Sequence, residues 1–278
     1  MGTLALIRGR PAAAVAAGGI VVRVGGRVSK LRPQALVVGG AKRVGRAISI
    51  ALAKAGCDVV VTYRKSARDV MDTLKVMEDF GGTHQAVSWE LEDLDAVSAE
   101  SGRLAASKPN WDVLVYSAST YESCPLTELS PARLQRDMNV NALAPAIMTQ
   151  KFAPHMQNSK LPGGAAIVAM IDIHAMGRPR KDFLSYSMSK AALGEMVQSL
   201  ARDLAPKIRV NGVAPGVVAW PESGQDSDLK MQAQYLSHVP LQRAGTPEDA
   251  AEVVRWLALD AQYVTGQIVR VDGGRWLN

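Results

Sequence analysis

Apolar positions along this chain switch repeatedly between two periods. Ala35-Leu36-Val37-Val38 is a short unbroken apolar run, followed by a glycine turn. Val44, Ala47, Ile48, Ala51 and Leu52 then recur at helical spacing until Gly56 closes the pattern. The exchange repeats. Asp58-Val59-Val60-Val61-Thr62 predicts a second strand, residues 66–80 a helix, His84 to Trp89 a third strand and Asp112-Val113-Leu114-Val115 a fourth. A long helical stretch opens near Leu134, and residues 165–170 predict strand five. Tyr186 opens a helix that runs to about Leu204, with Leu193, Val197, Leu200 and Leu204 as its buried stripe. Residues 208–211 begin strand six and residues 267–271 form strand seven. Strands separated by helical segments make right-handed crossover units and hence a parallel sheet. The expected fold class is α/β: one doubly wound domain over residues 34–278, with helices flanking a seven-stranded parallel sheet. Its ligand crevice is expected beyond the carboxyl ends of the strands, near strands one and four.

Composition narrows the function classes. The 278 residues are 47% hydrophobic and 21% charged, which suits one large globular α/β domain. The net charge of +6 comes from residues 1–33, which hold Arg8, Arg10, Arg23, Arg27, Lys30 and Arg32 and no acid. Removing those six from 32 basic residues leaves 26 against 26 acidic ones, so the body is neutral and a nucleic-acid partner is not expected. Residues 1–33 read as a mobile tail or an upstream translation start, ahead of organellar targeting. Cys57 and Cys124 are far apart and fit a reducing, cytoplasmic compartment. The histidines, His84, His155, His174 and His238, are scattered and predict no metal site. No apolar run is long enough to predict a membrane span.

The chemistry concentrates at Tyr186-Ser187-Met188-Ser189-Lys190, with Asp172 fourteen residues upstream. Residues four apart on a helix share a face, so phenol and ammonium can enter one site. A phenol titrates at roughly 10, and a neighbouring cation lowers that value. Such a couple can supply the proton that completes a hydride transfer. An ionised Asp172 beside the phenol would act in the opposite direction. Val38-Gly39-Gly40-Ala41-Lys42-Arg43-Val44-Gly45 lies between a strand and a helix, where glycine admits a pyrophosphate against free helix N–H groups. Strand two leads to Tyr63-Arg64-Lys65-Ser66, a cation where an acid would select NAD, so NADPH is the expected cofactor.

Taken together, these residues resemble the short-chain dehydrogenase/reductase family over residues 34–278. Further elements occur in family order: Asn141 in Met138-Asn139-Val140-Asn141-Ala142, Asn211-Gly212-Val213-Ala214-Pro215-Gly216, Tyr263-Val264-Thr265-Gly266-Gln267 and Val271-Asp272-Gly273-Gly274. The resemblance implies a Rossmann-type sheet and hydride transfer from a nicotinamide. Tyr186 would be the proton donor, Lys190 would bind the nicotinamide ribose and tune Tyr186, and Asn141 would hold a relay water. It also implies cofactor contacts from Gly39, Arg43, Val44, Gly45, Arg64, Ser66, Glu90, Leu91, Ser117, Ala118, Lys190, Pro215 and Gly216. A homotetramer is the implied assembly.

Four departures resemble the pteridine reductase branch of that family. Asp172 follows strand five where most members have serine, Arg43 replaces a glycine, Ser119-Thr120-Tyr121 follows strand four, and Pro215-Gly216 leads to Trp220-Pro221-Glu222. That likeness implies substrate contacts from Arg43, Ser119, Tyr121, Asp172 and Tyr186, with the Tyr121 ring stacked on a flat heterocycle. Tyr116-Ser117 stands where the family usually has Asn-Asn, which puts a bulky Tyr116 beside the adenosine ribose. The leading expectation is an NADPH-dependent reductase of an oxidised pterin or similar flat heterocycle, a small-molecule substrate. The alternatives are a 3-oxoacyl carrier-protein reductase and a non-catalytic dinucleotide-sensing protein.

Overall fold

In a computed structural model, residues 20–24, 27–220 and 228–278 are described, with side chains from Arg32 onward. Seven parallel strands stand in the order β5-β4-β3-β6-β7-β8-β9. They are β3 (Gln34–Val38), β4 (Asp58–Tyr63), β5 (His84–Ser88), β6 (Val113–Tyr116), β7 (Ala165–Met170), β8 (Ile208–Pro215) and β9 (Ile268–Val271). Strand order reverses between β3 and β6, the first and fourth strands of the sequence pattern, which is where a doubly wound sheet opens its crevice.

Both faces of the sheet are covered, and the side-chain alternation shows how. Ala35 and Val37 of β3 point to one side, Leu36 and Val38 to the other. The first side packs on α1 (Arg43–Lys54), α2 (Ala67–Glu78) and α8 (Pro247–Leu259), through residues such as Ile48, Leu52, Met77, Val254 and Leu257. The second packs on α3 (Leu94–Ala106), α5 (Ala144–Met156) and α6 (Leu184–Asp203), through Val97, Met148, Phe152, Leu193 and Val197. A sheet buried on both faces needs apolar residues at successive positions, which explains the unbroken runs in the sequence.

Two features depart from the sequence pattern. Ile20–Val24 (β1) and Arg27–Leu31 (β2) pair as an antiparallel ribbon, within the segment expected to be a mobile tail. Residues 1–19 lie outside the described residues. The helix that carries Tyr186 and Lys190, α6, begins at Leu184, two residues before the expected start. Among the described residues, no helix is long and apolar enough to cross a membrane, and no cluster of His, Cys, Asp or Glu could hold a metal ion.

Candidate active site

A cleft of about 810 Å³ lies beyond the carboxyl ends of the central strands. One end is built by the turn after β3. Gly39 has φ of 77°, and its N–H donates to Thr62 Oγ1 at 3.0 Å, while the Gly40 N–H donates to Thr62 O at 3.1 Å. β4 therefore pins the turn. A Cβ on Gly45 would stand 2.0 Å from Gly39 O, and one on Gly39 would meet Ala118 at 2.6 Å. The first turn of α1 is thus folded tightly onto the turn, and its residues, Arg43-Val44-Gly45-Arg46, include no acid. A bare-backbone cradle at a cationic helix start fits a pyrophosphate. Arg64 also faces the cleft, with Nη1 3.4 Å from Glu92 Oε1 and 4.0 Å from Glu90 Oε1.

The expected cofactor contacts mostly converge here. Gly39, Arg43, Val44, Gly45, Arg64, Glu90, Leu91, Ser117, Ala118, Lys190, Pro215 and Gly216 all line the cleft. Ser66 does not; it sits at the start of α2, outside the lining. Tyr116 corrects another expectation. Its ring is buried under α5, with Oη 2.7 Å from Thr149 Oγ1, so it lies away from the cleft instead of beside a ribose. Its strand position shares the inward face of Leu114, two residues earlier.

The other end carries the candidate chemistry. Tyr186 Oη donates to Asp172 Oδ2 at 2.7 Å, and Asp172 Oδ1 accepts from the His174 N–H at 2.7 Å. That second bond fixes the carboxylate at the start of the loop after β7. Lys190 Nζ donates to Met170 O at 2.7 Å and lies 6.0 Å from the Tyr186 ring centroid. Burial, then the Asp172 carboxylate, pushes the Tyr186 phenol well above its ordinary range. The cation that opposes this rise is Arg180, in place of the expected Lys190. Lys190 itself is pushed down to about 8 by burial, with Asp172 opposing.

Asn141 is present at the site but behind it. It lies in a π-helical turn, Asn139–Leu143, joining α4 (Pro131–Met138) to α5. Such turns shift side-chain register and often mark functional positions. Its Oδ1 accepts from the Thr120 N–H at 2.9 Å, and its Nδ2 donates to Ser189 Oγ at 2.9 Å. The side chain is thus committed at both ends and does not line the cleft.

The expected substrate side is an aromatic and charged wall. Tyr121 lines the cleft, but its ring already packs on Phe183, with centroids 4.9 Å apart, and edge-on to Tyr186 at 5.0 Å. Arg180 covers Phe183 at 4.7 Å and hydrogen-bonds Tyr121 Oη. Ser119 lines the cleft, its hydroxyl donating to Thr120 O at 2.9 Å. Arg43, held at φ of 50°, sends Nη2 to Ala219 O at 2.9 Å and Trp220 O at 3.2 Å, spanning from the glycine turn to the segment after β8. His174 also faces the cleft, although its position in the sequence suggests a solvated loop. Pro221 and Glu222 lie outside the described residues.

Sequence reasoning missed Asp137. It is 1% exposed and accepts from Thr120 Oγ1, Ser185 Oγ and Arg133 Nε. The signal was its spacing: four residues after Arg133 and four before Asn141.

Residues 39–275 match a family model described as Enoyl-(Acyl carrier protein) reductase. The chain is 30% identical over 245 residues to 3beta-hydroxysteroid dehydrogenase 1 of Eggerthella lenta, covering 87% of this chain and 93% of that protein. It is 30% identical to a 3-oxoacyl-[acyl-carrier-protein] reductase of Staphylococcus aureus, covering 89% of this chain and 100% of the relative. Among solved structures, a short chain dehydrogenase from Burkholderia cenocepacia J2315 in complex with NADP is 31% identical, with a TM-score of 0.78, covering 87% and 97% of the two chains.

Proposed function

Because the chain belongs to the short-chain dehydrogenase/reductase family, whose members are nicotinamide-dependent oxidoreductases, we propose that it uses NADPH to reduce an oxidised pterin or a similar flat heterocycle. The observation that carries this reading is the 2.7 Å bond between Tyr186 Oη and Asp172 Oδ2, a carboxylate where the family resemblance implies a serine hydroxyl. Serine donates a hydrogen bond to a substrate carbonyl. An ionised carboxylate cannot, and suits a substrate edge that carries N–H donors. Tyr121, Ser119 and Arg43 supply an aromatic surface and further polar contacts along the same cleft.

The bound dinucleotide supplies hydride from its nicotinamide C4. Gly39 and Gly45 would leave room for the pyrophosphate, Arg64 would meet the 2′-phosphate, and Lys190 would hold the nicotinamide ribose. Tyr186 Oη would give its proton to the substrate nitrogen as the carbon of that C=N bond takes up the hydride. The raised phenol pKa keeps that proton in place at neutral pH until negative charge develops opposite it. Asp172 holds the phenol in line during this transfer. A homotetramer is the proposed assembly, to be read by light scattering of the purified protein.

A second reading, reduction of a 3-oxoacyl thioester, is favoured by the Staphylococcus aureus relative. NADPH oxidation assayed in parallel with dihydrobiopterin, dihydrofolate and an acetoacetyl thioester separates the two. Faster turnover of the pterin supports the first, and faster turnover of the thioester the second. Dinucleotide binding without oxidation of NADPH by any of the three leaves a sensing role.

A further inference from the structure

The charged group most deeply enclosed beside the catalytic tyrosine is Asp137, at 1% exposure. Burying a carboxylate costs several kcal/mol unless donors replace its water. Here the donors are specific. Oδ1 accepts from Thr120 Oγ1 at 2.7 Å, and Oδ2 accepts from Ser185 Oγ at 2.7 Å and Arg133 Nε at 3.1 Å. Each hydroxyl leads toward Tyr186 by a different path. Ser185 is its neighbour in the first turn of α6. Thr120 Oγ1 accepts from Asn141 Nδ2 at 3.2 Å, Asn141 Nδ2 donates to Ser189 Oγ at 2.9 Å, and Ser189 Oγ donates to Tyr186 O at 2.7 Å. The two paths close a polar ring around the backbone of Tyr186.

The ring sits where the helix is weakest. Phe183 occupies the N-cap position of α6 and has no polar side chain with which to cap it. Tyr186 lies in that first turn, the part of a helix most prone to fray. We propose that Asp137 is a positioning residue: through Ser185 on one side and Thr120, Asn141 and Ser189 on the other, it holds Tyr186 at the distance from Asp172 that proton transfer needs. Asp137 does not itself line the cleft and makes no hydrogen bond to the Tyr186 side chain, so it acts through these partners, of which Thr120 does line the cleft. The proposal rests on the reading of Tyr186 as proton donor.

The test uses Asp137→Leu, Asp137→Asn and Ser185→Ala in the full chain, with Tyr186→Phe as reference. Displacing a reacting group by about 1 Å costs on the order of 100-fold in rate. Asp137→Leu should therefore lower kcat by about 100-fold and Ser185→Ala by about 10-fold, with NADPH Kd within about twofold of wild type. Asp137→Asn keeps the shape and one acceptor, so its kcat should fall between wild type and Asp137→Leu. A second readout needs no turnover. In protein labelled with 13C at tyrosine Cζ, the Tyr186 signal (assigned by its loss in Tyr186→Phe) should titrate closer to an ordinary phenol in Ser185→Ala and Asp137→Asn than in wild type. Wild-type kcat and an unmoved tyrosine titration in those two variants overturn the proposal, even if Asp137→Leu fails to fold. Undiminished turnover in Tyr186→Phe overturns instead the proton-donor reading, and the NMR arm still reports whether Asp137 positions the ring.

Discussion

Tyr186 Oη and Asp172 Oδ2 stand 2.7 Å apart, with the phenol donating and the carboxylate anchored by the His174 N–H. This pair holds a proton inside a cleft whose other end is shaped for a dinucleotide. Tyr186→Phe removes the proton but leaves the glycine turn and Arg64 untouched. NADPH oxidation with a pterin should fall by about 100-fold or more, the usual range for losing a general acid. NADPH affinity, measured by fluorescence titration, should stay near wild type. Asp172→Asn keeps the shape of the contact without the charge, so it should lower kcat less and allow the phenol to ionise at lower pH.

Lys190 sets an alkaline limit. Burial lowers its ammonium to about 8, so the charge that would support the ribose is present below that pH and lost above it. The pH profile of kcat/KM should fall on its alkaline side with an apparent pKa near this value. Lys190→Arg retains a charge that cannot be titrated in this range and should remove that limb. A profile that still falls near pH 8 in the arginine variant would assign the limb to another group.

Much of this arrangement was legible because its period is local. The apolar run of β3, the Gly39–Gly45 turn and the Tyr186/Lys190 spacing each depend on neighbours within a few residues. Strand alternation also contained the fate of Tyr116, since period two from Leu114 sends it inward, but its position beside the glycine turn suggested a ribose contact. Asp137 was hidden for a different reason. Its i, i+4 relation to Asn141 is visible, but its bonds to Ser185 and Thr120 join three segments through the fold. The Arg43 contacts with Ala219 and Trp220, 176 and 177 residues away, belong to the same class.

Acid stability should trace partly to Asp58, at the end of the sheet opposite the cleft. Burial alone would raise its carboxyl pKa, but hydrogen bonds from the Thr83 N–H at 2.9 Å, Arg32 Nε at 2.8 Å and Gln34 Nε2 at 2.9 Å hold it below the usual range. A lowered folded-state pKa adds stability above the unfolded carboxyl value of about 4, and that contribution is lost as pH falls through the folded value. Asp58→Asn should cost about 1–3 kcal/mol at neutral pH, read by urea unfolding, and flatten the acid side of the stability profile. Turnover of the folded protein should be unchanged.

Arg64 is a cation with two acidic neighbours, and on the proposed reading the balance between them would set cofactor choice. Its Nη1 lies 3.4 Å from Glu92 Oε1, and the pair is largely exposed, so the interaction is worth at most about 1 kcal/mol. A phosphate with two charges offers Arg64 a stronger, bidentate partner and should displace Glu92. Three outcomes follow in a comparison of NADPH and NADH Kd values. Arg64→Asp should weaken NADPH far more than NADH, since the ribose 2′-phosphate would then face a carboxylate. Glu92→Gln should strengthen NADPH by a few-fold, consistent with release of a contact below about 1 kcal/mol, and leave NADH nearly unchanged. The NADPH preference should also shrink as salt rises, because the exposed guanidinium is screened within about 8 Å at physiological ionic strength. Equal effects of Arg64→Asp on the two dinucleotides would show that this arginine does not read the 2′ position, and the cofactor assignment would have to move to another part of the cleft.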